Sequence, residues 1–107
     1  MDSTEVAPLV AEIASLLEDG HEEALAVSIR VALSGSDQAL NEFLKSNELW
    51  GGAGSIADQA FAGRSQRRKE LESLLIQLGR IQLRHGNANV RTVNWVEAFE
   101  KWRQLGV

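Results

Sequence analysis

Residues 65–86, SQRRKELESLLIQLGRIQLRHG, decide the fold class. Leu71, Leu74, Leu75, Leu78 and Ile81 recur at steps of three and four, while Arg67, Arg68, Glu70, Gln77, Arg80 and Arg84 fall elsewhere around the turn. That period describes a helix with one face in a core. Ser65 can cap its start and Gly86 can stop it. This is the longest helical pattern in the chain and the expected spine of the core.

The same reading extends in both directions. Downstream, Asn87-Ala88-Asn89 is a turn. A final amphipathic helix from Thr92 or Asn94 then runs through Trp95, Val96, Phe99, Trp102 and Leu105, with Glu97 in capping-box position to Asn94. Upstream, Ser55 can cap a short helix through Ile56, Ala57, Asp58, Ala60 and Phe61 that Gly63 breaks. A third helix carries Leu40, Phe43 and Leu44 and ends near Ser46-Asn47, capped by Ser36 or Asp37. A second carries Leu25, Ile29 and Leu33, with Ala24, Ser28 and Ala32 as a small-residue seam for close packing. The first places Val6, Leu9, Val10, Ile13, Leu16 and Leu17 on one face. Pro8 is expected in its first turn, where a missing N–H is tolerated, and Gly20 as the left-handed residue that closes it. No segment sustains period-two alternation, so strands are not expected. The prediction is an all-α fold, a compact irregular bundle of five helices plus one short helix, forming a single domain over residues 1–107.

Composition agrees with a folded domain. Of 107 residues, 44% are hydrophobic and 24% charged, near globular averages. Zero cysteines exclude disulfides, thiolate metal sites and a cysteine nucleophile. No apolar run is long enough for a membrane span, and Asp2 and Glu5 stand where a secretory signal carries positive charge. The expected location is cytoplasmic. The net charge of −4 hides an asymmetry: residues 1–50 hold ten acids against two bases, and residues 51–107 nine bases against five acids. Three arrangements suit it: the halves packing on each other, a self-complementary homodimer, or a partner covering one face.

The most distinctive local feature is Leu49-Trp50-Gly51-Gly52-Ala53-Gly54-Ser55-Ile56-Ala57-Asp58. Glycines at 51, 52 and 54 give up conformational entropy that other residues would not, so something there needs unusual backbone freedom. One reading is a tight crossover that admits the Trp50 ring or a neighbouring backbone. A second is an anion or small-ligand site made by Gly51, Gly52, Gly54, Ser55 and the following helix start. A third is a partner-binding loop anchored by Trp50. It is not a Walker motif, since no strand precedes it and no Lys-Ser/Thr pair ends it. Arg64, Arg67 and Arg68 share a face after the short helix. They can bind an anion or acidic partner, or be neutralised by the acidic half or by Asp58. Nucleic acid is disfavoured because the basic run is short, no aromatic residue interleaves with it and the overall charge is negative. His21 and His85 stand alone without carboxylates at ligand spacing, so neither a metal site nor a catalytic base is expected. Trp95 and Trp102, seven apart, share one side of the last helix, which can leave an edge to a partner.

The segment Leu49-Trp50-Gly51-Gly52-x-Gly54-Ser55-Ile56-x-Asp58, with the Arg-rich start and Leu pattern of residues 64–83, resembles a family of small uncharacterised bacterial proteins, a domain of unknown function. The likeness spans about residues 40–105. It implies a bacterial, cytoplasmic, non-enzymatic helical protein and carries over no catalytic residue. The acidic first hairpin lies outside it.

No acid–base pair stands at a meaningful spacing, so an enzyme is not expected, and no motif calls for a cofactor. The leading expectation is a small helical interaction or regulatory domain, immunity- or antitoxin-like among the options, using a charged face and the Trp50 loop. The alternative is an anion- or small-ligand-binding module at the Gly-rich loop. Candidate residues are Trp50, Gly51, Gly52, Gly54, Ser55, Asp58, Arg64, Arg67 and Arg68.

Overall fold

A computed structural model describes residues 3–62 and 67–106. Arg64, Ser65 and Gly63, to which the sequence reading gave roles, lie outside the described residues. Among the described residues every regular element is helical: α1 (Ser3–Asp19), α2 (Glu23–Ser34), α3 (Asp37–Leu44), α4 (Asn47–Trp50), α5 (Ile56–Ala62), α6 (Arg68–Arg84) and α7 (Val90–Gln104). The all-α expectation holds, with one element more than expected. Residues 47–50 form a single turn, capped by Ser46, whose Oγ accepts from the amide of Leu49. A four-residue turn carries no periodicity of its own, which is why the sequence shows it only as an interruption.

The amphipathic faces account for the packing. Val6, Val10, Ile13 and Leu17 of α1 are buried and meet α2 on one side and α6 on the other. α6 contacts α1, α5 and α7, so it is covered over more of its circumference than one stripe. Besides the expected Leu71, Leu74, Leu75 and Leu78, it buries Glu72, Ile76 and Gln82, whereas Ile81 is only half-buried. The radius of gyration, 12.6 Å, matches the roughly 13 Å of a compact chain of this length.

Charge follows the same plan. Glu5 of α1 receives Arg84 (2.6 Å) and His85 (3.1 Å) from the end of α6, while Asp19, at the other end of α1, pairs with Arg67. These contacts set α1 antiparallel to α6 and lay part of the acidic half on the basic half. Arg30 of α2 closes the hairpin onto Glu18 at 3.0 Å, and its hydrogen bond holds the Glu18 carboxyl below the ordinary value.

Several helix ends differ from expectation. The α1–α2 turn is a Schellman motif, with Glu22 N–H donating to Leu17 O and His21 N–H to Glu18 O. Its left-handed residue is His21 (φ 64°) and not Gly20. Gly86 fills the same place after α6, as expected, at φ 68°. Pro8 is the sixth residue of α1, in its second turn; it lies on the exposed side, where its ring meets solvent and not the core. α7 starts one turn early, because Asn89 and Thr92 form a reciprocal capping box in place of Asn94 and Glu97. The Ala24–Ser28–Ala32 seam does not form: Ala32 is buried but Ala24 is exposed, and α2 packs through Ala26, Ile29 and Ala32. Val27 and Val31 are left facing solvent.

Candidate functional site

The Trp50–Asp58 corner is built from buried polar contacts. α4 and the extended Gly51 carry the Trp50 ring into the core, where it is 0% exposed. Its Nε1–H donates to Gln82 Oε1 at 3.0 Å. The same Gln82 amide donates to Leu44 O at 2.7 Å and to Asn87 O at 2.9 Å. One fully buried side chain therefore joins the end of α3, the α4 corner and the turn after α6. Gln82 is the residue that sequence reasoning missed. Its signal was present, since 71, 75, 78 and 82 fall on one helical stripe and only the last is polar.

Gly51 turns the chain under a second indole. Its carbonyl accepts from Trp95 Nε1 at 2.9 Å and from Ser55 Oγ at 3.1 Å. A Cβ at Gly51 would sit 2.1 Å from the carbonyl oxygen of Asn47, so only glycine admits this approach of two backbones. Gly54 is needed for a different reason, its φ of +86°. Gly52 is exposed, and a Cβ there would meet only the Arg91 guanidinium. Another glycine belongs to the same arrangement: a Cβ on Gly79 would lie 2.4 Å from Val96 Cγ2 and 3.2 Å from the Trp50 ring, so α6 has no room for a side chain there.

Ser55 caps α5 as expected, accepting from Asp58 N–H at 3.1 Å. Asp58 answers by accepting from Gly54 N–H at 3.0 Å, and Ser55 N–H donates to Gly52 O. The amides of Gly54 and Ser55 are thus engaged inside the corner, and a carboxylate already stands at the helix start. Among the described residues, no buried side-chain nitrogen or oxygen lacks a hydrogen-bond partner, and no three His, Cys, Asp or Glu side chains converge as metal ligands.

Of the nine candidates Arg64 lies outside the described residues, and the other eight do not assemble into one surface. Trp50, Gly51 and Ser55 are buried. Gly52 and Gly54 form the exposed rim of the corner, with Asp58 half-buried beneath. A shallow depression of about 430 Å³ next to it is lined by Val90, Arg91, Asn94 and Trp95. Arg67 is turned toward Asp19, and Arg68 is exposed at the start of α6. Two surface features carried no prior expectation. One is the exposed pair Val27 and Val31 on α2. The other is a groove of about 340 Å³ between α1 and α6, lined by Glu12, Ser15, Leu16, Glu70, Ser73 and Leu74. Comparison with protein-family models, curated proteins and solved structures returned no match to the chain.

Proposed function

We propose that the chain is a non-enzymatic protein-binding domain whose α1–α2 hairpin docks on a basic surface of another protein. The observation that carries this reading is the pair Val27 and Val31, 59% and 65% exposed and one turn apart on α2. Covering a valine completely contributes about 1.5–3 kcal/mol, so two adjacent ones form a compact anchor. The hairpin supplies the rest of the recognition. Its cation, Arg30, is engaged by Glu18, and the exposed Glu22 and Glu23 flank the start of α2. Carboxylates around an apolar anchor speed encounter with a cationic partner and penalise an anionic one. Such coverage suits a bacterial regulatory subunit or an immunity- or antitoxin-like partner.

The Trp50 corner is assigned to stability in this reading, because its aromatic is enclosed and its donors are engaged internally. An anion module there has less behind it, since Asp58 occupies the amide of Gly54 that an anion would require. A photo-crosslinking residue placed at Val27 and activated in cells is expected to capture one predominant protein, and Val31→Asp to abolish that capture. Equal capture of that same protein from the exposed Gln77 on α6 would refute the proposal.

A further inference from the structure

We infer that two copies of this chain pair through complementary patches on either side of the first turns of α6. The first patch is the α1–α6 groove. Leu16 and Leu74 give it an apolar wall, Ser73 is small enough to leave it open, and Ser15, on the α2 side, accepts from Arg30 Nη2 at 3.2 Å. Glu12 and Glu70 border it, and among the described residues neither has an ion-pair partner. The ion pairs between α1 and α6 lie at the two ends of the seam, on Glu5 and Asp19. Glu12, seven residues from each, sits about 10 Å along α1 from both. The middle of the seam is therefore acidic, apolar and uncovered.

The second patch is the end of α7. Leu105 is 65% exposed, and Lys101, one turn before it, is exposed and without an ion-pair partner among the described residues. Together they present an apolar side chain beside a cation, the chemistry that the groove lacks. Arg103 ties this end to α6, with Nε 3.0 Å from Glu72 Oε1 and Nη2 3.3 Å from Lys69 O. Glu70 and Leu74, on the same turns of α6, face the groove. Because both patches flank one stretch of helix, a single two-fold axis beside it serves both. Leu105 of each copy then enters the groove of the other, and Lys101 meets Glu12 and Glu70. This is the isologous contact that closed dimers use. With one apolar anchor per side it makes a weak dimer, in the micromolar range or looser.

Sedimentation equilibrium of the full chain from about 10 μM to about 1 mM, at low and high salt, tests the pairing. The wild type is expected to dimerise, less tightly as salt rises. Leu105→Asp and Glu70→Lys are each expected to raise the dimer Kd about tenfold or more. Reversing the whole set, Glu12→Lys and Glu70→Lys combined with Lys101→Glu, is expected to return Kd to within about threefold of wild type. The four side chains changed, Glu12, Glu70, Lys101 and Leu105, are exposed or line the open groove, and unchanged circular dichroism and Tm establish that each variant is folded. A wild type monomeric throughout overturns the inference. So does a dimer indifferent to Leu105→Asp, or a charge swap that fails to restore pairing; either would point to another face, such as Val27 and Val31.

Discussion

Replacing Gln82 with methionine keeps an unbranched side chain of similar length and removes every hydrogen bond of the buried amide. Trp50 Nε1–H loses its acceptor, and Leu44 O and Asn87 O lose their donor. An unsatisfied buried polar group costs about 1–3 kcal/mol. Two of these bonds are fully buried and the one to Asn87 is partly so, so the gross loss is about 4–5 kcal/mol. Burying a thioether in place of an amide offsets about 1.5–2 kcal/mol of it. The expected net destabilisation is about 3 kcal/mol, a large share of the 5–15 kcal/mol typical of a domain. In a chain of this size that lowers Tm by roughly 12–24 °C. Urea unfolding followed by far-UV circular dichroism measures it, with an unchanged m value showing that the unfolding transition is the same. A loss below about 1 kcal/mol would refute the claim that one amide holds the α3 end, the Trp50 corner and the α6 turn together.

The three loop glycines are expected to separate on substitution by alanine. Gly51→Ala should cost more than about 2 kcal/mol, because its Cβ meets a backbone carbonyl; Gly54→Ala about 1 kcal/mol for its positive φ; and Gly52→Ala within about 0.5 kcal/mol of zero. Equal costs in urea titrations would contradict the geometry of the corner. Acid should weaken the fold through Glu18 and Glu100, whose carboxyls are held below the ordinary 4.5 by hydrogen bonds from Arg30 and Arg80. A depressed carboxylate contributes stability above its unfolded value and loses it as pH falls through the folded one, so the loss begins below about pH 4.5. Glu18 is exposed and Glu100 half-buried at the surface, and screening by solvent keeps the effect small. Glu100→Gln should flatten the acid limb of Tm against pH, and an unaltered limb would count against that pair.

The long helices were legible because each combines an apolar period with a start or stop residue. Leu71 to Leu78, ended by Gly86, is the clearest case. The Ser55–Asp58 cap was equally legible, since Ser-x-x-Asp brings an acceptor within reach of the helix amides. The fate of the loop before it was not. A tight crossover around the Trp50 ring, an anion site and a partner loop all suit a glycine-rich stretch, and what selects the crossover is a partner 32 residues away, Gln82, which satisfies the buried indole. Left-handed geometry fell on His21 because the Schellman hydrogen bonds fix which residue takes it, while composition shows only that a glycine is near. At the start of α7 both Asn89 and Asn94 suit a cap. Asn89 is selected by tertiary contact, its Nδ2 reaching Lys45 O and Asn47 Oδ1. Charge asymmetry raised the right question about how the halves meet, but the particular pairs, such as Glu5 with Arg84, depend on helix orientation.

The bond from Arg84 to Glu5 closes a loop of 79 residues, which matters while the chain is being made. A ribosome adding about 5–20 residues per second delivers Arg84 roughly 4–16 seconds after Glu5. Until then α1 can shelter only the sides that meet α2 and α3, and the flank destined for α6 stays wet. The nascent hairpin is therefore open to chaperones, or to a neighbouring polypeptide, until α6 has been made.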